Sequence, residues 1–467
     1  MLFTSLEFLF LFLPLTLAGY YLLPFRWNLK NYGLLAASLG FYAWGEPKFV
    51  FVMLVSIAFN YVMALIVEAL RARGRSGGAG RGALAVAVAG NLALIGVWKY
   101  ANFVTATLRD WFPSWQGAIP QTSFILPIGI SFFTFQALSY VIDVHRGVKA
   151  QRNPLLLALY IALFPQLIAG PIVRYTTVAG QIGSRKTSWD QFTKGVFRFV
   201  VGVNKKTLLA NVMAEVADKA FAAPELSVAF AWFGAVCYSL QIYFDFSGYS
   251  DMAIGLGRMF GFEFLENFNY PYVSKTVTEF WRRWHMSLGT WFRDYVYFPL
   301  GGSRVGKGRL VFNLAVVWFL TGLWHGANWT FIFWGVLYGV LIAFEKLSGW
   351  AGKVDASKAL SIAYQPFTML MVILGWVLFR SETVASAGSY LAAMFGAAPF
   401  VDGNFVFWSR EVAVPFSCAV VGSAPWWTRL KHPSAFATAC CLQFLLLLAS
   451  VSCLVMNAHN PFIYFNF

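Results

Sequence analysis

Charge is scarce in this chain. Asp, Glu, Lys and Arg make up 12% of its 467 residues, about half of the roughly one quarter usual in soluble domains. So little charge cannot coat a water-facing surface of this size, which argues against a soluble enzyme. Acidic residues are the rarer sign, 20 against 35 basic ones, for a formal net charge of +15. With no soluble basic domain in sight, this excess reads as loop lysines and arginines that hold a membrane topology, not as a nucleic-acid surface. The five cysteines, Cys237, Cys418, Cys440, Cys441 and Cys453, form no C-x-x-C pair and no metal spacing; lying in apolar stretches, they read as buried structural thiols. No metal site is expected. The sequence also lacks a phosphate-binding G-x-x-x-x-G-K-[ST] loop, a G-x-S-x-G elbow and an H-E-x-x-H helix. ATPase, serine-hydrolase and zinc-peptidase chemistry therefore have no support.

Apolar length is what the chain has in abundance. Hydrophobic residues make up 59% and the mean hydropathy is +0.62. A bilayer core of about 30 Å is crossed by about 20 apolar helical residues, and the runs 5–23, 49–70, 83–100, 310–344, 362–379 and 435–455 meet or approach that length. They do not alternate as barrel strands would. Helices satisfy their own backbone groups in lipid, so the expectation is an all-α polytopic membrane protein with about eleven crossings. Residues 1–23 lack a basic start and are interrupted by Pro14, which reads as a retained first helix and not as a signal peptide. The Gly-rich loop 71–81 carries four arginines and is placed in the cytoplasm. Residues 174–206 are polar and basic, in part an interfacial helix. The run 310–344 is too long for one crossing, and a break is expected near 322–328. Residues 245–303 mix aromatics with many charges, a pattern of helices that line a cavity or re-enter the membrane.

Two of the five histidines lie in the apolar centre of the chain. An ionisable side chain at membrane depth is a functional candidate. If the surrounding run is helical, His325 shares a face with Thr321, Gly322, Asn328 and Trp329, a small, polar face that admits a substrate; the alternative is a histidine bonded to a neighbouring helix. His285 would line up with Trp281, Leu288 and Phe292, with Glu279 and Arg283 paired at i, i+4; an interfacial aromatic and basic belt is the competing reading. A neutral imidazole can take a proton from an attacking hydroxyl or thiol and later return it, which suits acyl transfer. A polysaccharide exporter and a non-enzymatic scaffold for a synthase remain the other classes.

A set of motifs points further. Tyr243-Phe244-Asp245-Phe246-Ser247-Gly248-Tyr249-Ser250-Asp251 is followed by Glu266-Asn267-Phe268-Asn269-Tyr270-Pro271-Tyr272. Then come Glu279-Phe280-Trp281-Arg282-Arg283-Trp284-His285, Trp291-Phe292-Arg293-Asp294-Tyr295 and Gly322-Leu323-Trp324-His325-Gly326-Ala327. In number and order these strongly resemble the membrane-bound O-acyltransferase family, most closely its bacterial exopolysaccharide O-acetyltransferase branch. The likeness implies a bundle of about eleven transmembrane helices, with re-entrant and interfacial helices around a tunnel. It implies one membrane unit over 1–467, with a family-like core to about 380 and divergent helices over 381–467. His325 matches the family's catalytic histidine, and His285 the second histidine of the branch. Asp245, Asp251, Asn267, Asn269, Arg282 and Arg293 match recurring positions and, with Asn328, stand as substrate-binding candidates. The resemblance further implies a multi-pass protein of the bacterial inner membrane with no bound cofactor. It would take acetyl from cytoplasmic acetyl-CoA and act with periplasmic acetyltransferase partners on alginate or cellulose. D-alanyl transfer to teichoic acid is the sister activity.

Overall fold

The structure is a computed structural model that describes residues 1–24, 26–74, 77–426 and 433–456; His432 and His459 lie outside them. Every regular element among the described residues is helical, as the long apolar runs require. The chain forms two compact units. One comprises Met1–Val196 and Ala253–Leu265, the other Phe197–Met252 and Glu266–Phe467.

The first unit is built from α1 (Leu13–Leu22), α2 (Trp27–Gly45), α3 (Val50–Ala72), α4 (Gly78–Ile95), α5 (Ala101–Trp111), α6 (Ile130–Arg146), α7 (Pro154–Ala162), α8 (Phe164–Leu167) and α9 (Tyr175–Gly183). α3 packs on α4 and α6. Asn60 of α3 and Asn91 of α4 exchange amide hydrogen bonds of 3.0 and 2.8 Å in the interior, the kind of polar link that joins helices where lipid offers no partner. Buried Arg185 ties the chain together locally: its guanidinium donates to Asn31 Oδ1 at 2.6 Å and to the Phe260 carbonyl at 2.8 Å.

Next come α10 (Trp189–Asn204), α11 (Asn211–Ala222) and α12 (Val228–Met259), then the short α13 (Val277–Arg283) and α14 (Met286–Phe292). They are followed by α15 (Lys307–His325), α16 (Trp329–Leu347), α17 (Trp350–Ala356), α18 (Lys358–Arg380), α19 (Val384–Met394), α20 (Gly403–Glu411), α21 (Ala413–Gly422) and α22 (Pro433–Met456). α12 runs on to Met259 and carries Asp245 and Asp251 into regular helix. The rest of 245–303 is short and broken, with no helix long enough to cross a bilayer.

Among the described residues, five helices are long and apolar enough to span: Val50–Ala72, Gly78–Trp111, Trp329–Leu347, Lys358–Arg380 and Thr438–Met456. α20 and α21 make a sixth if taken together across their 67° bend. The expected count of about eleven included runs that the fold divides. The apolar stretch 154–167, for example, forms α7 and α8, of 9 and 4 residues. The cysteines need a correction. Only Cys237 is buried; Cys418, Cys441 and Cys453 are exposed and Cys440 is intermediate. On a membrane helix an apolar position need not face protein, because lipid is an equally good neighbour for it.

The break expected near 322–328 falls at Gly326–Asn328, where α15 stops and α16 turns back along it. The hairpin closes on glycines. A methyl group on Gly322 would strike the Phe331 carbonyl oxygen, and one on Gly335 the Trp318 carbonyl oxygen. Both obstacles are backbone, so neither can swing aside. Gly322→Val should therefore part the helices at a cost of about 1–3 kcal/mol and lower the unfolding temperature in detergent. Gly308→Ala, with nothing within 4 Å of the new carbon, should leave it unchanged; equal behaviour of the two variants would contradict this packing.

Candidate active site

His325 is the last residue of α15, and its ring is buried. Indole and phenyl rings enclose it: Trp324 and Trp334 at 5.0 Å between centroids and Phe379 at 5.2 Å. The His285 ring lies 6.5 Å away, centroid to centroid. The two histidines, forty positions apart in sequence, thus share one aromatic enclosure, to which Phe246 adds an edge-on contact with His285 at 4.6 Å.

His325 keeps Thr321 and Gly322 on its helical face in α15, but His285 does not sit on the helical face expected for it. The helix carrying Trp281 ends at Arg283, and His285 adopts φ 44°, ψ 54° before α14 begins. That left-handed conformation is uncommon for a residue with a Cβ and costs about 1–3 kcal/mol unless the surroundings impose it. Here they do. The Met286 N–H donates to the Asn267 carbonyl and the Asn269 N–H to the Arg283 carbonyl, each at 2.9 Å. The Arg283 guanidinium also donates to the Asn269 carbonyl at 3.1 Å. Asn267 then grips His285 through its side chain. Its Oδ1 lies 3.1 Å from His285 Nδ1, 3.1 Å from the Ser287 N–H and 2.9 Å from Ser287 Oγ, while its Nδ2 donates to Ser250 Oγ at 3.2 Å. His285 Nε2 is buried with no hydrogen-bond partner among the described residues. His285 lies in a turn outside the spanning helices, and burial pushes its pKa down to about 3, so the ring is neutral at physiological pH.

The expected i, i+4 pair is present: Arg283 donates to Glu279 at 2.9 Å. The start of α13 is held by a residue the sequence reading passed over. Glu345 of α16, buried, accepts from the Val277 and Thr278 N–H groups at 2.9 and 2.8 Å. Thr276 caps the next donor, Glu279 N–H, at 3.1 Å. These are the unsatisfied donors of a helix start, and a carboxylate there also meets the positive end of the helix. As the only acid in α16, Glu345 was visible as an ionisable residue at membrane depth, the signal that singled out the histidines.

The other candidates separate by what they touch. Asp245 forms an interior ion pair with Lys206 at 2.7 Å. Asp251 accepts from Arg198 and Lys205, both at 2.7 Å, and Arg198 also reaches Glu266 at 2.6 Å. Structural pairing, not a surface turned to substrate, is what their carboxylates display. Asn269 acts through its backbone, Arg282 is exposed, and exposed Arg293 pairs with Asp294 at 2.8 Å. Asn328 leaves the helical face expected for it. The helix ends three residues earlier, and its side chain caps α16 by accepting from the Thr330 N–H while donating to the Glu382 carbonyl at 2.7 Å. Among the described residues no group of three or more His, Cys, Asp or Glu side chains could hold a metal.

An all-helical membrane bundle with two buried imidazoles enclosed by aromatic rings has the equipment of a proton-transferring membrane transferase. Residues 151–381 match the model of MBOAT, the membrane-bound O-acyltransferase family. The chain is 45% identical over 399 residues to the probable alginate O-acetylase AlgI of Azotobacter vinelandii, covering 85% of this chain and 78% of that protein. It is 34% identical to the peptidoglycan O-acetyltransferase of Helicobacter pylori over 85% of this chain and 80% of that one. The teichoic acid D-alanyltransferase of Bacillus subtilis is 29% identical over 56% of this chain and 71% of its own length. The chain belongs to the membrane-bound O-acyltransferase family: it is a multi-pass O-acyltransferase of the bacterial inner membrane.

Proposed function

We propose that this chain takes an acetyl group from cytoplasmic acetyl-CoA and passes it across the inner membrane to a periplasmic acetyltransferase partner, which places it on an exopolysaccharide, alginate being the first choice of polymer. The observation that carries the reading is the pair of buried imidazoles 6.5 Å apart in one aromatic enclosure, within a chain 45% identical to an alginate O-acetylase. In the transfer, an acceptor hydroxyl oxygen attacks the thioester carbonyl carbon. The new C–O bond forms, the C–S bond breaks, the hydroxyl proton passes to an imidazole nitrogen, and the leaving thiolate recovers it as free CoA thiol. His325 is assigned to the acceptor hydroxyl and His285 to the companion proton step. Enclosure by aromatic rings keeps water away from the acyl group, which favours transfer over hydrolysis.

The test is transfer of labelled acetyl from acetyl-CoA in purified membranes with the periplasmic fraction present, with alginate or cellulose as acceptor and, in parallel, a D-alanyl carrier protein as donor. Label on the polymer that depends on this chain is the expected result. Label that appears only on cellulose moves the acceptor assignment to that polymer. Transfer only from a D-alanyl carrier protein, with none from acetyl-CoA, overturns the donor assignment in favour of the teichoic-acid activity. In cells carrying His325→Ala, polysaccharide export that fails with no change in acyl content overturns transfer altogether.

A further inference from the structure

Asn267 matches a recurring position of the family and was a candidate substrate ligand, yet both ends of its amide are engaged inside the protein. Its oxygen lies within hydrogen-bonding distance of three groups and its nitrogen of one. The orientation of the amide follows from one of them. The Ser287 backbone N–H can only donate, so the atom 3.1 Å from it is the oxygen. The reverse orientation would set the amide hydrogens against that N–H and, at the same time, take the acceptor away from Ser287 Oγ. Once Oδ1 is the acceptor, the ring nitrogen 3.1 Å away must be the donor, because two bare lone pairs at that distance repel. In a neutral imidazole, a proton on Nδ1 leaves Nε2 bare. Nε2 is the nitrogen that has no hydrogen-bond partner among the described residues in this buried turn.

We infer that Asn267 is a positioning residue that locks His285 in the Nδ1–H tautomer and so presents Nε2 as a proton acceptor inside the acyl-transfer enclosure. The same residue, through its backbone carbonyl, holds the Met286 N–H at 2.9 Å and with it the left-handed turn at His285. Ring orientation, tautomer and backbone are set from one side chain and its own peptide group. An outer partner that selects the tautomer of a working histidine is a general device: the hydrogen bond made by one ring nitrogen decides what the other can do. The inference rests on the transfer reading for its consequence in rate, but the tautomer itself is a property of the resting protein.

Two measurements test it. The first is nitrogen NMR of the full chain in detergent with isotope-labelled histidine, in which the His285 signals are those lost in His285→Gln. A protonated Nδ1 and a bare Nε2 are expected; a protonated Nε2 in the wild-type chain overturns the proposal. This experiment needs no acyl donor, so it stands even if the wild-type chain transfers no acetyl, an outcome that sinks the transfer reading and not the tautomer. The second is kinetic. Asn267→Ala should lower kcat about 10- to 100-fold, as loss of an outer orienting partner does elsewhere, with KM for the donor unchanged. Asn267→Asp, which keeps an acceptor for Nδ1–H, should restore most of the loss. A merely structural asparagine would lower the amount of folded protein in both variants and leave kcat per folded molecule alone, and that result overturns the proposal. If Asn267→Ala does not accumulate, the wild-type spectrum and the aspartate variant still decide it.

Discussion

Alanine at position 325 lowers acetyl transfer at least about 100-fold, the minimum contribution of a positioned general base, while the chain still accumulates in the membrane. The ring of His325 is packed by Trp324, Trp334 and Phe379, so alanine also opens a cavity, and part of any loss could come from collapse of the enclosure. Glutamine separates the two effects. It refills much of the volume and keeps a polar end but has no nitrogen lone pair to take a proton, so His325→Gln should be as inactive as His325→Ala with better stability. Labelled acetyl on polymer, normalised to membrane abundance, is the measurement. Transfer retained in the glutamine variant would remove His325 from the proton path.

The second large effect is on folding. Lys206 and Asp245 pair at 2.7 Å, with side-chain exposures of 4% and 2%. Charges taken that far from water are tolerated as a pair. Deleting one leaves the other buried without its counter-ion, at a cost of about 3–5 kcal/mol. Lys206→Met should thus largely abolish accumulation of folded protein, and Asp245→Leu should do the same. The double variant removes both charges and should recover much of the stability, since apolar replacements of a whole buried pair are often neutral. Detergent thermal unfolding and membrane abundance read all three. A double variant no better than the singles would show that Lys206 and Asp245 do not act as a pair.

Much of this was legible in the chain itself. A charge content of 12% and apolar runs of about 20 residues required a helical membrane protein, and the motif series named the family before any coordinate. The broken run at 310–344 was visible by its length, and the Glu279–Arg283 pair by its spacing. What was not legible depended on where helices stop. A periodic reading continues a helix through His285, because nothing in the local apolar pattern marks that break, and the length of the run at 310–344 does not say at which residue its helix stops. The fold ends one helix at Arg283 and another at His325. Asn328 becomes a cap on the next helix instead of a neighbour of the imidazole.

The sequence alone determined the class of environment and the chemistry available in it. Burial of long apolar runs is a property of composition, and an ionisable side chain within them is visible without coordinates. Only the tertiary structure decided which polar groups meet. The grip of Asn267 on His285 spans 18 positions, the Lys206–Asp245 pair 39, the cap by Glu345 on α13 68, and the approach of the two histidines 40. Contacts between residues so far apart follow from helix packing and from a left-handed turn held by its surroundings, and these are set by the whole fold and not by local propensity.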